Sequence, residues 1–162
     1  AAFREQFPID EVMIFSRTEQ SAKQLADQID LPGGKTHVLS DPTELLRNSD
    51  IVISTVPAAK GLIPFLDSNQ LPLPSFAGMV DCGRSWLLND LPANAWVVID
   101  DREQDRHSDA ALITPTRVNQ DMLQLVSDGY PSDEESTRRL FIFRGMAIGD
   151  LAAAILAYET AV

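Results

Sequence analysis

The sequence predicts an α/β fold built on a mostly parallel β-sheet with helices on both faces. Apolar segments of strand length alternate with segments whose apolar residues recur at helical spacing, which is the pattern of α/β proteins. The clearest strand is Asp50–Thr55, and its centre is a continuous apolar run, as in strands that are covered on both faces of a parallel sheet. The 162 residues, 44% of them hydrophobic, are enough for one packed domain.

The first third of the chain is expected to contain two strand–helix pairs. Their bounds are Glu11–Ser16 followed by a helix that ends at Leu31–Gly34, then Thr36–Leu39 followed by Pro42–Arg47. Thr18 is expected to cap the first helix, and Ser40 or Asp41 the second. Pro42 suits the first turn of that second helix.

The rest of the chain is expected to continue the alternation. The expected strands are Asp50–Thr55, Gly78–Asp81, Ala95–Asp100 and Leu140–Phe143. The expected helices are Ala59–Leu66, a segment that starts at Asp101–Gln104, Asn119–Val126 and Met146–Ala161. We therefore expect one partial domain over residues 1–162, in which residues 140–162 form a C-terminal strand–helix segment.

Charge and composition exclude several classes of function. The net charge of -11 repels nucleic acid phosphates, so we expect no nucleic acid partner. No apolar run approaches the roughly 20 residues of a membrane helix, so we expect no membrane association. The single cysteine, Cys82, excludes an intrachain disulfide and fits the cytoplasm. His37 and His107 lack metal-ligand spacing, so no metal is expected.

Polar residues follow the first expected strand. Ligands of a doubly wound parallel sheet bind beyond the carboxyl ends of its strands. An acidic residue here would bind the ribose 2′-hydroxyl of NAD, but the chain has Ser16, Arg17 and Thr18. Two hydroxyls and a guanidinium can bind a 2′-phosphate through charge-assisted hydrogen bonds, which favours NADP over NAD. The alternative is a solvated helix N-terminus that Thr18 merely caps.

Two later strand ends also carry candidate site residues. The loop Thr55-Val56-Pro57 follows the clearest strand, where it could lie along a cofactor. Asp81 could act as an acid or base, or orient a substrate amine, and its alternative role is to cap the turn at Gly83. Cys82 is expected to be a packed side chain rather than a nucleophile, since nothing nearby would activate its thiol.

The last candidate is Phe143-Arg144-Gly145, at the final strand-to-helix transition. Glycine lets the backbone approach a ligand closely, and the following helix N-terminus offers free amides. The alternative is a tightly packed turn between a strand and a helix.

Four segments together resemble the ornithine cyclodeaminase/μ-crystallin family. They occur in order and at suitable spacing: Ser16–Thr18, Ser49–Val52, Asp100–Gln104 and Gly145–Ala154. The last is the most specific, because the family typically ends with a Gly-hydrophobic-Ala stretch, an aspartate and an Ala-rich helix. The resemblance spans nearly the whole chain, and it implies a Rossmann-type fold.

The resemblance also implies an activity and a set of site residues. Family members use NAD or NADP, form homodimers, and transfer hydride to or from a carbon that bears nitrogen in an amino acid or cyclic imine. By this resemblance Arg17 and Thr18 would hold the 2′-phosphate, and Asp81 would correspond to the catalytic aspartate. Val56 and Pro57 would line the cofactor. Phe143 and Arg144 would approach the nicotinamide.

The N-terminus is interpreted as a chain entered in mid-helix. By the resemblance, the family's first Rossmann strand and its Gly-rich phosphate loop would precede Ala1. The full-length parent would be an NADP-dependent ornithine cyclodeaminase-like enzyme or a ketimine reductase, and this chain alone would be inactive. Ile142-Phe143 replaces the family's usual Lys-Ser, and Gly149 replaces a common glutamate, which weakens the expectation of ornithine as substrate.

Two alternative functions stay open. The first is a μ-crystallin-like protein that binds a small ligand without catalysis, which the altered nicotinamide-facing residues would suit. The second is an NADP enzyme of the shikimate dehydrogenase type, which also carries an Arg-Thr pair after its second strand. The C-terminal Gly145–Ala154 stretch argues against the second alternative.

Overall fold

The structure, a computed structural model, describes residues 7–107, 115–130, 137–145 and 147–161. The chain forms two compact units, Ala1–Ser49 and Asp50–Val162. Both contain β-sheet, and every strand pairing among the described residues is parallel. The predicted α/β fold with a parallel sheet and flanking helices is therefore confirmed. The interpretation of residues 1–162 as one partial domain stays a prediction.

The described residues of the first unit, from Phe7 onward, form two strands and two helices. They are β1 (Glu11–Ile14), α1 (Glu19–Ala26), β2 (Lys35–Val38) and α2 (Pro42–Arg47). The two strands pair in parallel, with Glu11 opposite Lys35. Thr18 caps α1 by accepting a hydrogen bond from the Ser21 amide at 3.3 Å, as predicted. Of the two candidate caps for α2, the structure selects Asp41.

The second unit contains a five-stranded sheet. Its strands are β3 (Ile51–Ser54), β4 (Ser75–Met79), β5 (Ala95–Ile99), β6 (Gln120–Asp121) and β7 (Arg138–Ile142). The α-helices among its described residues are α3 (Arg102–His107), α4 (Met122–Asp128) and α5 (Ala147–Ala161). Short 3₁₀ turns lie at Ser68–Gln70 and Pro115–Arg117.

The strand order of this sheet is β3-β4-β7-β5-β6. The last strand of the chain therefore lies in the interior of the sheet, and its Leu140 and Ile142 are each only 1% exposed. The register places Ser54, Met79, Ile142 and Ile99 in one row across four strands. Because all four strands run in the same direction, the loops that follow them leave the sheet at a common edge.

One predicted helix is wrong. The segment Ala59–Leu66 contains no helix, and Leu66 instead forms an isolated parallel bridge with Trp86. Gly61 has a φ of 78°, which no right-handed helix accommodates. Pro64 removes a backbone donor and would clash with the preceding turn of a helix.

Other elements occur where predicted, with shifted bounds. Strand β4 begins three residues before the expected Gly78–Asp81 and ends at Met79. The helix expected over Asn119–Val126 is α4, which starts after Asp121 because that residue forms a capping box with Gln124. Helix α5 is described from Ala147, and the predicted start at Met146 lies outside the described residues.

Helix α5 is rich in alanine and leucine, and its side chains from residue 149 to residue 160 are exposed within this chain. Its largest exposed apolar side chains are Leu151, Ile155, Leu156 and Tyr158. Among the residues that the structure describes, no helix combines the length and apolar composition needed to cross a membrane.

We expect Leu140→Ala to lower the free energy of unfolding by about 2–5 kcal/mol, because it leaves a cavity in an interior strand. Leu123, on α4, is 78% exposed, so Leu123→Ala should cost less than about 0.5 kcal/mol. Urea unfolding of the two variants measures both values. Equal losses would contradict the interior placement of β7.

Candidate functional site

The residues predicted to bind the 2′-phosphate lie at the carboxyl end of β1. Ser16 is half-buried, whereas Arg17 and Thr18 are exposed. The Thr18 hydroxyl shares a 2.7 Å hydrogen bond with the Ser21 hydroxyl and accepts the Ser21 amide. Thr18 is therefore an ordinary cap in this structure, as the alternative interpretation required, although capping leaves its hydroxyl at the surface.

Arg17 has no acidic partner within the described part of the chain. The nearby acidic residue Glu19 forms an ion pair with Lys23 at 2.6 Å, one helical turn along α1. The hydrogen bond and the charge of Lys23 lower the pKa of Glu19 below its ordinary value. Because Glu19 is engaged with Lys23, the exposed Arg17 guanidinium is available to an anionic ligand.

In the second unit, Asp81 is the acceptor of a buried hydrogen-bond network. Its Oδ1 accepts the Ser54 hydroxyl at 2.9 Å and the Gly83 amide at 3.1 Å. Its Oδ2 accepts the Ser85 hydroxyl at 2.5 Å. Ser54 in turn accepts the indole N–H of Trp86 at 2.9 Å. The network links the end of β3 to the turn that follows β4.

This network is enclosed. Asp81 is 4% exposed, Ser54 5%, Ser85 fully buried and Trp86 1% exposed. A buried carboxylate is costly unless its oxygens are hydrogen-bonded, and here both oxygens are. The hydrogen bond from Gly83 is the capping role that was the alternative for Asp81. Its role as a catalytic acid or base stays a prediction.

The turn after Asp81 requires unusual backbone angles. Cys82 has a φ of 59° and Gly83 a φ of 69°, both in the left-handed region. A Cβ at Gly83 would also lie 2.9 Å from a methyl carbon of Leu88, which would have to shift, so the backbone conformation is the main reason for glycine here. Cys82 is partly buried, with its Sγ 3.9 Å from the Arg144 carbonyl oxygen, in agreement with a packed thiol.

The loop predicted to line a cofactor leaves β3 at the same sheet edge. Thr55 and Pro57 are exposed, and Val56 is half-buried. Their neighbour Ser54 belongs to the Asp81 network, so the start of this loop is fixed to the turn after β4. An exposed loop on a fixed base is the usual arrangement for ligand binding at the edge of a parallel sheet.

The turn Phe143–Gly145 follows β7, which lies between β4 and β5 in the sheet. Its polar contacts come mainly from residues at and beyond the end of β5. The Asp100 carboxylate Oδ2 accepts the Arg144 amide at 2.8 Å and the Gly145 amide at 2.7 Å. The Arg144 guanidinium donates to Asp105 Oδ1 on α3 at 2.8 Å. Arg144 therefore contributes its backbone to the turn while its side chain is engaged with α3.

The comparisons with known proteins agree with this geometry. The sequence profile of the ornithine cyclodeaminase/mu-crystallin family matches residues 1–162. The chain belongs to this family. Similar relatives include the ketimine reductase mu-crystallin of Rattus norvegicus, 28% identical over 98% of this chain and 50% of that protein. The alanine dehydrogenase of Archaeoglobus fulgidus is 26% identical over 99% of this chain and 52% of its own length.

One further relative and one solved structure are also similar to the chain. A Delta(1)-pyrroline-2-carboxylate reductase of Bacillus cereus is 26% identical over 95% of this chain and 50% of that protein. The crystal structure of CmnK superimposes with a TM-score of 0.66 at 16% identity, over 94% of this chain and 47% of that one, which shows a shared fold. The chain spans about half the length of the curated relatives that it matches.

Sequence reasoning placed Asp81, Arg144 and Gly145 at the sheet edge but missed their partners. What was missed is that these partners hold the site residues, although Asp100 and Gln104 stand in a segment that carries the family resemblance: Ser54, Ser85, Trp86, Asp100, Gln104 and Asp105. A local signal existed for Asp100, which is the first residue after a buried strand, as carboxylates at sheet-edge sites often are. No local signal existed for Ser54, because its partner Asp81 lies 27 residues away. Ser85 lies only four residues after Asp81, on the turn that follows β4, so its contact is local.

We expect Ser85→Ala to lower the free energy of unfolding by about 1–3 kcal/mol, because it leaves a buried carboxylate oxygen of Asp81 without its donor. Ser127→Ala, at an exposed position on α4, is the matched control and should change stability by less than about 0.5 kcal/mol. Chemical denaturation of both variants tests this. A Ser85→Ala variant as stable as the control would show that the network contributes nothing.

Proposed function

We propose that this chain is the nucleotide-binding part of an NADP-dependent oxidoreductase that acts on a cyclic imine or an amino acid. The observation that carries the proposal is the family match along the whole chain, together with the relatives' names. Those names describe a ketimine reductase, a pyrroline-2-carboxylate reductase and an alanine dehydrogenase. All three act at a carbon bonded to nitrogen. A homodimer of the full-length protein, which the family resemblance implies, is part of the proposal.

Ser16, Arg17 and Thr18 are proposed to bind the 2′-phosphate of NADP. The support is chemical: Arg17 is exposed and has no acidic partner among the described residues, and two hydroxyl side chains flank it. A guanidinium can donate two parallel hydrogen bonds to a phosphate, whereas it offers little to a bare 2′-hydroxyl. No carboxylate occupies the position where NAD-binding proteins place one to accept hydrogen bonds from the ribose.

In the second unit, Thr55–Pro57 and Phe143–Gly145 are proposed to line the cofactor. Both segments leave parallel strands at the sheet edge where ligands of such folds bind. When bound, a nicotinamide would supply the reducing equivalent for a carbon–nitrogen double bond. The chain's own contribution would be to orient the ring and to exclude water from it.

Asp81 is proposed to serve this site as an acid or base, or as a support for the loops around it. The hydrogen bonds from Ser54, Gly83 and Ser85 favour the supporting role, because they occupy both carboxylate oxygens. The same observation favours the second candidate function, which is small-ligand binding without catalysis. Oxidation of NADPH by the full-length protein in the presence of a cyclic ketimine separates the two, since a carrier would bind but not turn over.

We expect Arg17→Ala to raise the dissociation constant for NADPH about 10- to 100-fold and to leave that for NADH unchanged. The physical reason is the loss of a charge-assisted hydrogen bond that only the 2′-phosphate can accept. Fluorescence titration of the full-length protein with each reduced coenzyme measures both constants.

The control is Arg47→Ala, which removes an exposed arginine from α2 in the same unit. It removes one positive charge, as Arg17→Ala does, so a general electrostatic effect would weaken NADPH binding equally in both variants. Equal affinities of the unmodified protein for NADPH and NADH, unaltered by Arg17→Ala, would refute the role of Arg17.

A further inference from the structure

The turn Phe143–Gly145 belongs to neither a strand nor a helix. It lies between the end of β7 and the start of α5, and Gly145 has a φ of 116°. Backbone N–H groups in such a turn lie outside the sheet hydrogen bonds, and each needs an acceptor if it is not solvated. The Phe143 amide donates to the Met79 carbonyl at 3.2 Å, which leaves the next two amides to be satisfied.

One carboxylate satisfies both. Asp100 is 4% exposed, and its Oδ2 accepts the Arg144 and Gly145 amides at 2.8 and 2.7 Å. Its other oxygen accepts the Asp101 amide at 3.1 Å. Hydrogen bonds to an ionised acceptor are stronger than neutral ones, so this single side chain fixes the two peptide units.

Helix α3 completes the attachment through two more side chains. Gln104 donates its amide to the Gly145 carbonyl at 3.3 Å. Asp105, which is 7% exposed, accepts the Arg144 guanidinium at 2.8 Å. The side chain of Arg144 therefore contacts α3, while Asp100 and Gln104 hold the backbone of the turn.

The open side of the turn is at Gly145. Apart from Gly145 itself and its two chain neighbours, no atom of the described residues lies within 4 Å of the position that a Cβ would take there. The absence of a side chain at such a site lets a flat ring lie directly against the backbone. The turn thus combines a rigid attachment on one side with free space on the other.

We propose that Asp100 and Gln104 are positioning residues that hold Gly145 in place for the nicotinamide-bearing half of the cofactor. This rests on the proposed function. Neither residue needs to contact the ligand, because both act through the backbone of the turn. The proposal assigns the Asp100–Gln104 segment a role in binding that is independent of the 2′-phosphate and hence of Arg17.

The test uses Asp100→Asn and Gln104→Ala in the full-length protein, with Arg106→Gln as the control on the same helix. Arg106 is exposed and pairs with Glu103 on its own helix, away from the turn. Asp100→Asn replaces one acceptor oxygen by a donor, so we expect the dissociation constants for NADPH and NADH to rise equally, about tenfold. Gln104→Ala, which removes one exposed hydrogen bond, should raise both about threefold.

The decisive probe is adenosine 2′,5′-bisphosphate, which carries the 2′-phosphate and lacks the nicotinamide. Its affinity should not change in Asp100→Asn or Gln104→Ala and should fall in Arg17→Ala. General damage to the fold would weaken this probe too, and that result would overturn the positioning role. Unchanged affinity for both coenzymes in Gln104→Ala and Asp100→Asn would overturn it as well.

A further readout does not depend on any ligand. Hydrogen exchange at the Arg144 and Gly145 amides should be faster in Asp100→Asn than in the unmodified protein, because the acceptor is weakened. Unchanged exchange at both amides would overturn the proposed attachment. An unmodified protein that binds neither coenzyme, yet shows the expected exchange, would instead overturn the proposed function and leave the attachment demonstrated.

Discussion

The loops of the second unit depend on two aspartates whose carboxylates accept hydrogen bonds from backbone amides just beyond the ends of the strands. Strands β3, β4, β7 and β5 end in one row, and each must be followed by a loop whose amides no longer pair with a neighbouring strand. Asp81 accepts a hydrogen bond from the Gly83 amide. Asp100 accepts hydrogen bonds from three amides, those of Asp101, Arg144 and Gly145. Each carboxylate is nearly inaccessible to water, so its hydrogen bonds are stronger than they would be at a surface.

Each of these two carboxylates connects a different pair of segments at the edge of the sheet. Asp81 connects the loop after β3 to the turn after β4 through Ser54 and Ser85, and Asp100 connects the turn after β7 to the start of α3. The loops are therefore attached in pairs, while Thr55, Pro57 and the open side of Gly145 stay accessible. A site assembled in this way is preorganised, because the groups that a ligand would touch are held by residues that it does not touch.

Local patterns predicted most elements, and contacts between distant residues account for most of what was missed. The caps at Thr18 and Asp41 could be predicted from the sequence, because a capping side chain accepts a hydrogen bond from an amide only two or three residues away. The position of β7 between β4 and β5 could not be predicted from local sequence, since it is decided by pairing with two strands that lie far earlier in the sequence. The site shows the same limit, because Ser54 and Asp81 are 27 residues apart and Asp100 and Gly145 are 45 apart. The false helix at Ala59–Leu66 was an error of a different kind, since Gly61 and Pro64 were visible in the sequence.

The enclosure of Asp81 constrains any catalytic role for it. A general acid or base must exchange a proton with the substrate across a hydrogen bond, directly or through one water. Both oxygens of Asp81 already accept hydrogen bonds from groups of this chain, and Ser85 is completely buried. Because Asp81 is only 4% exposed, proton transfer to a substrate would require the turn that contains Gly83 and Ser85 to open. A supporting role requires no movement, so the geometry of the free protein favours Asp81 as the residue that fixes the loops against which a substrate would be held.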